Sequence, residues 1–138
     1  MLRVVAAFPL LLLVVVVFGV FVFVTGADGV PGVLASALFH IPIISGDSLS
    51  FTTGDLFILL SIALLFVEIL KSTNTGAVSL LNHGLSTGVM VICMVLLLIG
   101  RGFGNTTFLF ITLITIFDVV GGFIITIIAA RRDLSVGR

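Results

Sequence analysis

Four long apolar runs organise the chain. The first extends from Val4 to about Thr25 and contains LLLVVVVFGVFVFV. The second covers Gly54 to Leu70, the third Ala77 to Ile99, and the fourth Thr106 to Ala130. A helix needs roughly 20 mostly apolar residues to cross about 30 Å of hydrocarbon, and each run meets or approaches that length. In water, runs this rich in Val and Ile would read as strands. In lipid every backbone N–H and C=O must be satisfied within the segment or around a closed barrel. These runs are too long and too uniformly apolar for barrel strands, which alternate. The pattern predicts an all-α integral membrane protein with transmembrane helices over about 4–25, 54–70, 77–99 and 106–130.

Arg3 ahead of the first run resembles the start of a signal peptide. Such an apolar region is about 7–15 residues long, and this run is longer, so a retained helix is expected. Pro9, about one and a half turns in, is expected to kink it.

Residues 26–53 form the longest connection. Its opening, GADGVPG, is turn chemistry. VLASALFHIPII is apolar but too short to span, which predicts a short helix lying in the membrane interface and ended by Pro42. SGDSLSFTTGD then reads as a turn or small hairpin, with Thr52 and Asp55 spaced as a capping box for the second span. The second connection, KSTNTGAVS, is polar. The third, GRGFGN, is a Gly-rich turn without the Lys-Ser/Thr ending of a P-loop. Short connections favour antiparallel neighbours, so the expected architecture is a four-transmembrane-helix up-down bundle. Without internal repeats, residues 1–138 read as a single membrane domain.

Composition agrees with this reading. Sixty per cent of the 138 residues are hydrophobic and nine per cent are charged, with mean hydropathy +1.49. Soluble domains are about 45–50% apolar and about 25% charged. Six Lys+Arg balance six Asp+Glu, leaving no basic surface for nucleic acid. Trp and Tyr are absent, so the usual interfacial belt is missing. The lone Cys93 lies in an apolar run and reads as a small hydrophobe.

Charge placement sets the expected orientation. With four spans, Arg3, Lys71, Arg131, Arg132 and Arg138 share one side, while Arg101 lies opposite with Asp28, Asp47 and Asp55. The positive-inside rule puts both termini in the cytoplasm of a multi-pass inner (plasma) membrane protein.

Ionisable groups within spans cost at least about 2.5–3.5 kcal/mol at a helix centre, which makes Glu68, His83 and Asp118 the functional candidates. Asp118 lies 13 residues before Arg131, roughly 20 Å from that end at 1.5 Å per residue and so near the midplane. Thr115, Asp118, Gly122, Thr126 and Ala129 form one small, polar stripe. Asp118 reads either as a protonatable group in a proton or cation path, or as a neutral carboxyl bonded to a neighbouring helix. His83 shares a face with Ser79 and Thr87, with Asn82 and Ser86 beside it. Glu68 precedes Lys71 by three residues, which predicts an interfacial ion pair. The sharper alternative has Glu68, Asn82, His83 and Asp118 lining one cytoplasm-facing polar vestibule. Gly84 and Gly88 form a GxxxG and Gly121–Gly122 a second flat patch, predicting close packing of the third and fourth spans. The first span, without a polar stripe, is expected to face lipid over much of its girth.

No cofactor, metal or catalytic set is expected. His40 lies on the opposite side of the membrane from His83, which removes a bis-His haem, and a single His makes a weak zinc site. HExxH, GxSxG and a Cys-His pair are all missing. Asn105-Thr106-Thr107 matches a glycosylation pattern but abuts a span. Size and span count resemble those of small four-helix transporters and small fluoride channels. The resemblance stops at architecture, because the first span carries no acid and the bundle no Trp or Tyr.

The expected function is therefore not an enzyme. It is an accessory or assembly subunit of a larger membrane complex, in contact with the lipid bilayer and a membrane-protein partner. The alternative is a proton- or cation-coupled small transporter or channel, acting as a homo-oligomer through Asp118.

Overall fold

The computed structural model describes residues 8–72 and 77–136, without the side chains of 77–80, 129–130 and 132–136. Arg3, the start of the first run at 4–7, part of the polar second connection at 73–76, and Arg138 lie outside the described residues, as do the side chains of Ser79, Ala129 and Arg132. Seventy-four per cent of the structure is helical, and three long apolar helices, together with one shorter one, suit a membrane-embedded protein.

The shorter helix, α1, covers Leu11–Thr25. At about 22 Å it falls short of the hydrocarbon thickness. It begins just after Pro9 rather than being kinked by it. Proline lacks an N–H and disfavours helical backbone in the residue before it, so a helix start suits it better than an interior. Gly26, at φ 75°, closes α1 by donating its N–H to Val22 O at 3.0 Å.

The first connection corrects the expected interfacial helix. Helix α2 is only Val30–Ala35 and buries Val30 and Leu34 in the core. Ser36 ends it, its hydroxyl donating to Val33 O at 2.6 Å. The rest of the apolar stretch becomes strand β1, Ala37–Pro42, paired antiparallel with β2, Ser48–Thr52. Aromatic and β-branched residues favour this outcome. Phe39 and Phe51 stack across the pair at 4.9 Å between ring centres.

Thr53–Ser72 forms α3. The expected capping box is present: Thr52 N–H donates to Asp55 Oδ2 at 2.8 Å and Asp55 N–H to Thr52 Oγ1 at 3.2 Å. Helix α4 is Ala77–Ile99 and α5 is Thr106–Val136. Asn105 caps α5, its Oδ1 accepting from Phe108 N–H at 2.9 Å while its Nδ2 donates to Gly102 O at 3.0 Å.

Helix α5 is the central element. It packs along both α3 and α4, and its apolar stretch is the most buried of the three, 44% against 22% for α3 and 28% for α4. The contacts at the helix ends define the directions. Gly54 at the start of α3 meets Thr107 at the start of α5. His83 near the start of α4 meets Thr126 near the end of α5. The start of α1 meets the end of α3, and Gly102 between α4 and α5 abuts Val22 and Ala27 beside the end of α1. The four apolar helices therefore alternate in direction.

The apolar core lies toward the hairpin end. Phe18 of α1 is fully buried and stands 5.0 Å, centre to centre, from both Phe57 and Phe108. With Leu11, Val14, Val15 and Val22 it makes a buried face at helical spacing. The first helix is thus a core element on one side and exposed on the other.

Candidate functional site

At the opposite end, the last turn of α3 and the first turns of α4 bring three polar side chains together. The Glu68 side chain is completely buried. Its carboxylate accepts from Lys71 Nζ at 3.1 Å and from Asn82 Nδ2 at 3.1 Å. It also accepts the backbone N–H of Leu10 at the start of α1. Lys71 in turn donates to Phe8 O at 2.7 Å and approaches Asn82 Oδ1 at 3.5 Å. The pair expected from the i,i+3 spacing exists, and it does more than neutralise itself. Glu68 and Lys71 hold the two sides of Pro9, one through an N–H and the other through a C=O. A buried carboxylate demands this many donors, because an uncompensated charge there is strongly unfavourable.

His83 is seated separately. Its Nε2 lies 2.9 Å from Thr126 Oγ1, and that hydroxyl donates to Gly122 O at 2.9 Å. The Thr126 proton is therefore engaged, so Nε2–H is the donor to it. The imidazole lies directly on Gly122, where a Cβ would come within 2.6 Å of Nδ1. It also stacks on Phe123 at 5.7 Å. Gly122 is thus the glycine that close contact requires. Cβ atoms at Gly84, Gly88 and Gly121 would meet nothing within 4 Å. Gly84 and Gly88 instead border an open groove with Phe8, Pro9 and Leu12, so they do not provide the expected close approach of α4 to α5.

Asp118 is buried on α5 opposite Ser86 of α4. The Ser86 hydroxyl is buried without a hydrogen-bond partner at normal distance. Among the described residues no hydrogen bond joins Asp118 to Glu68 or His83. Glu68 lies within electrostatic reach of both. The four candidate residues thus occupy one region but three distinct seats: Glu68 with Asn82, His83 with Thr126, and Asp118 beside Ser86.

Several other buried hydroxyls are bound to their own helices. Ser61 donates to Phe57 O, Thr112 to Phe108 O and Thr115 to Thr112 O, at 2.7–2.8 Å. Used this way they are small packing residues with satisfied protons. Cys93 is buried beside Thr115. Among the described residues no three His, Cys, Asp or Glu side chains come together as a metal site.

The sequence reading missed the backbone of Phe8 and Leu10 as partners of Glu68 and Lys71. A carboxylate three residues before a lysine carries no mark of a third element. No protein-family model, curated protein or solved structure matches the chain.

Proposed function

We propose that this chain is a small multi-pass subunit of the plasma membrane that works by packing, as an accessory or assembly component of a larger membrane complex. It has no catalytic chemistry of its own. The observation that carries the reading is the state of Glu68. This acid, the most deeply buried among the described residues, is bonded to Lys71, Asn82 and Leu10 and ties three helices together. An acid engaged this way is a poor carrier, because releasing it would loosen the fold. Both termini face the cytoplasm in this reading, supported by the cluster of Arg3, Lys71, Arg131, Arg132 and Arg138 against a single Arg101.

Proton flux into liposomes tests the proposal. A packing subunit reconstituted alone carries no protons above the lipid background, and flux well above it would contradict the reading.

A second reading rests on one observation. The Ser86 hydroxyl faces Asp118 without a hydrogen bond of normal length, so this buried polar pair is held less tightly than the Glu68 cluster. It supports a proton- or cation-coupled homo-oligomer working through Asp118. In that case wild-type liposomes show flux and Asp118→Asn abolishes it.

A further inference from the structure

The hairpin has two unlike faces. Residues directly opposite in an antiparallel pair point to the same side. Phe39 pairs with Phe51 and Ile41 with Leu49, which makes one face apolar. His40 pairs with Ser50 and Pro42 with Ser48, so the other face carries the hairpin's His and Ser side chains beside one proline. On the polar face His40 Nδ1 lies 2.9 Å from Ser50 Oγ. Neither face is covered: Phe39, Ile41 and Leu49 are about half exposed, and Ile44 at the turn is fully exposed. A lone two-stranded hairpin is marginal in water, and an apolar face left in water is a liability.

The hairpin is also fixed in place relative to α3. Strand β2 ends at Thr52 and α3 starts at Thr53, with no linker between them. The 20 residues of α3 measure about 30 Å, the thickness of the hydrocarbon. The root of the hairpin therefore stands at the hydrocarbon boundary. Leu49, Ser50 and Phe51 line a groove of about 300 Å³ together with Ile58, Leu59 and Ile62 of α3 and with Asp55, whose carboxylate is bonded to Thr52. Leu59 and Ile62 are exposed on the flank that an embedded α3 turns to lipid. The apolar face of the hairpin thus continues a surface that is already in the bilayer.

We propose that the hairpin is an interfacial paddle: its apolar face lies on the bilayer surface, and a phospholipid acyl chain fills the groove between β2 and α3. Backbone groups on both open edges need water, which excludes burial in the hydrocarbon centre. The paddle lies flat at the headgroup–acyl boundary, the depth of about 5–10 Å typical of interfacial segments. Residues 37–52 contain no Lys or Arg, so apolar burial rather than attraction to anionic headgroups holds the paddle down.

The absence of native Trp and Tyr gives a clean optical test. Single-tryptophan variants Leu49→Trp (apolar face), Ile44→Trp (turn) and Ser48→Trp (polar face) are placed in the full chain in phosphatidylcholine nanodiscs. Ile44 is fully exposed, so its variant reports even if the groove does not accept an indole. The proposal predicts blue-shifted emission for Leu49→Trp and Ile44→Trp. Most of that emission is lost when the phosphatidylcholine is brominated high on its acyl chains. Ser48→Trp stays red and is quenched by aqueous iodide. Added anionic lipid or salt changes none of these. Emission from Leu49→Trp and Ile44→Trp that is iodide-quenched and blind to bromine would overturn the proposal. So would shielding of both from bromine and iodide alike, since a protein surface would then be the cover.

Discussion

The Glu68 carboxylate at the end of α3 accepts the backbone N–H of Leu10 at the start of α1, across 58 positions of sequence. A side chain from another helix thus serves the first free donor after Pro9, where a local cap would ordinarily act. Lys71 closes the arrangement by binding Phe8 O.

Glu68→Leu takes the acceptor from the Leu10 N–H and from Asn82 Nδ2, and takes the carboxylate away from Lys71, which keeps Phe8 O. The expected loss is about 3–5 kcal/mol, the range for breaking one side of a buried pair. Glu68→Gln keeps an acceptor but no charge and falls between. Thermal unfolding in detergent ranks the two. Equal melting for wild type and Glu68→Leu would remove the clamp from the account.

Gly122→Ala pushes a methyl group into the His83 ring and breaks its bond to Thr126. Overpacking of this kind costs about 1–3 kcal/mol. Gly121→Ala, one residue away, meets open space and leaves stability unchanged. The double variant Gly122→Ala/His83→Ala is less unstable than the sum of its parts, because the clash is gone. Simple additivity in the double-mutant cycle would contradict the seat described for His83.

Asn105→Ala removes both amide contacts at the start of α5. The expected cost is about 0.5–2 kcal/mol, as for other N-caps. Asn105→Asp keeps the oxygen that accepts from Phe108 and retains most of the stability. Hydrogen exchange at the amides of 106–108 reads the difference directly.

Ser86→Ala deletes a buried hydroxyl that faces Asp118 without a hydrogen bond of normal length. Removing an unsatisfied buried group is neutral or stabilising, because it relieves part of a desolvation cost of about 1–3 kcal/mol. A clear drop in melting temperature would show that this hydroxyl binds something the fold needs.

The helical plan was legible because hydrophobic length is set by the bilayer: Gly54–Leu70, Ala77–Ile99 and Thr106–Ala130 all fall within observed helices. The capping box at Thr52 and Asp55 was legible because it is local. The hairpin was half legible: SGDSLSFTT reads as a turn or hairpin, but its partner ALFHIP has no polar alternation to distinguish strand from short helix. The buried face of α1 was hidden for a related reason. Every residue around Phe18 is apolar, so nothing in the pattern separates the side that meets Phe57 and Phe108 from the side that does not. At the site, spacing within one helix gave the Glu68–Lys71 pair. It could not give the seating of His83 on Gly122, which depends on how α4 and α5 lie together. The GxxxG at Gly84 and Gly88 misled because small residues permit close packing without requiring it.

Native mass spectrometry after gentle extraction from its own membrane decides whether this chain works as a packing subunit. A packing subunit emerges in a complex of fixed stoichiometry beside larger membrane proteins. A homodimer with no other protein bound would contradict it and leave the Asp118 transport reading as the stronger one.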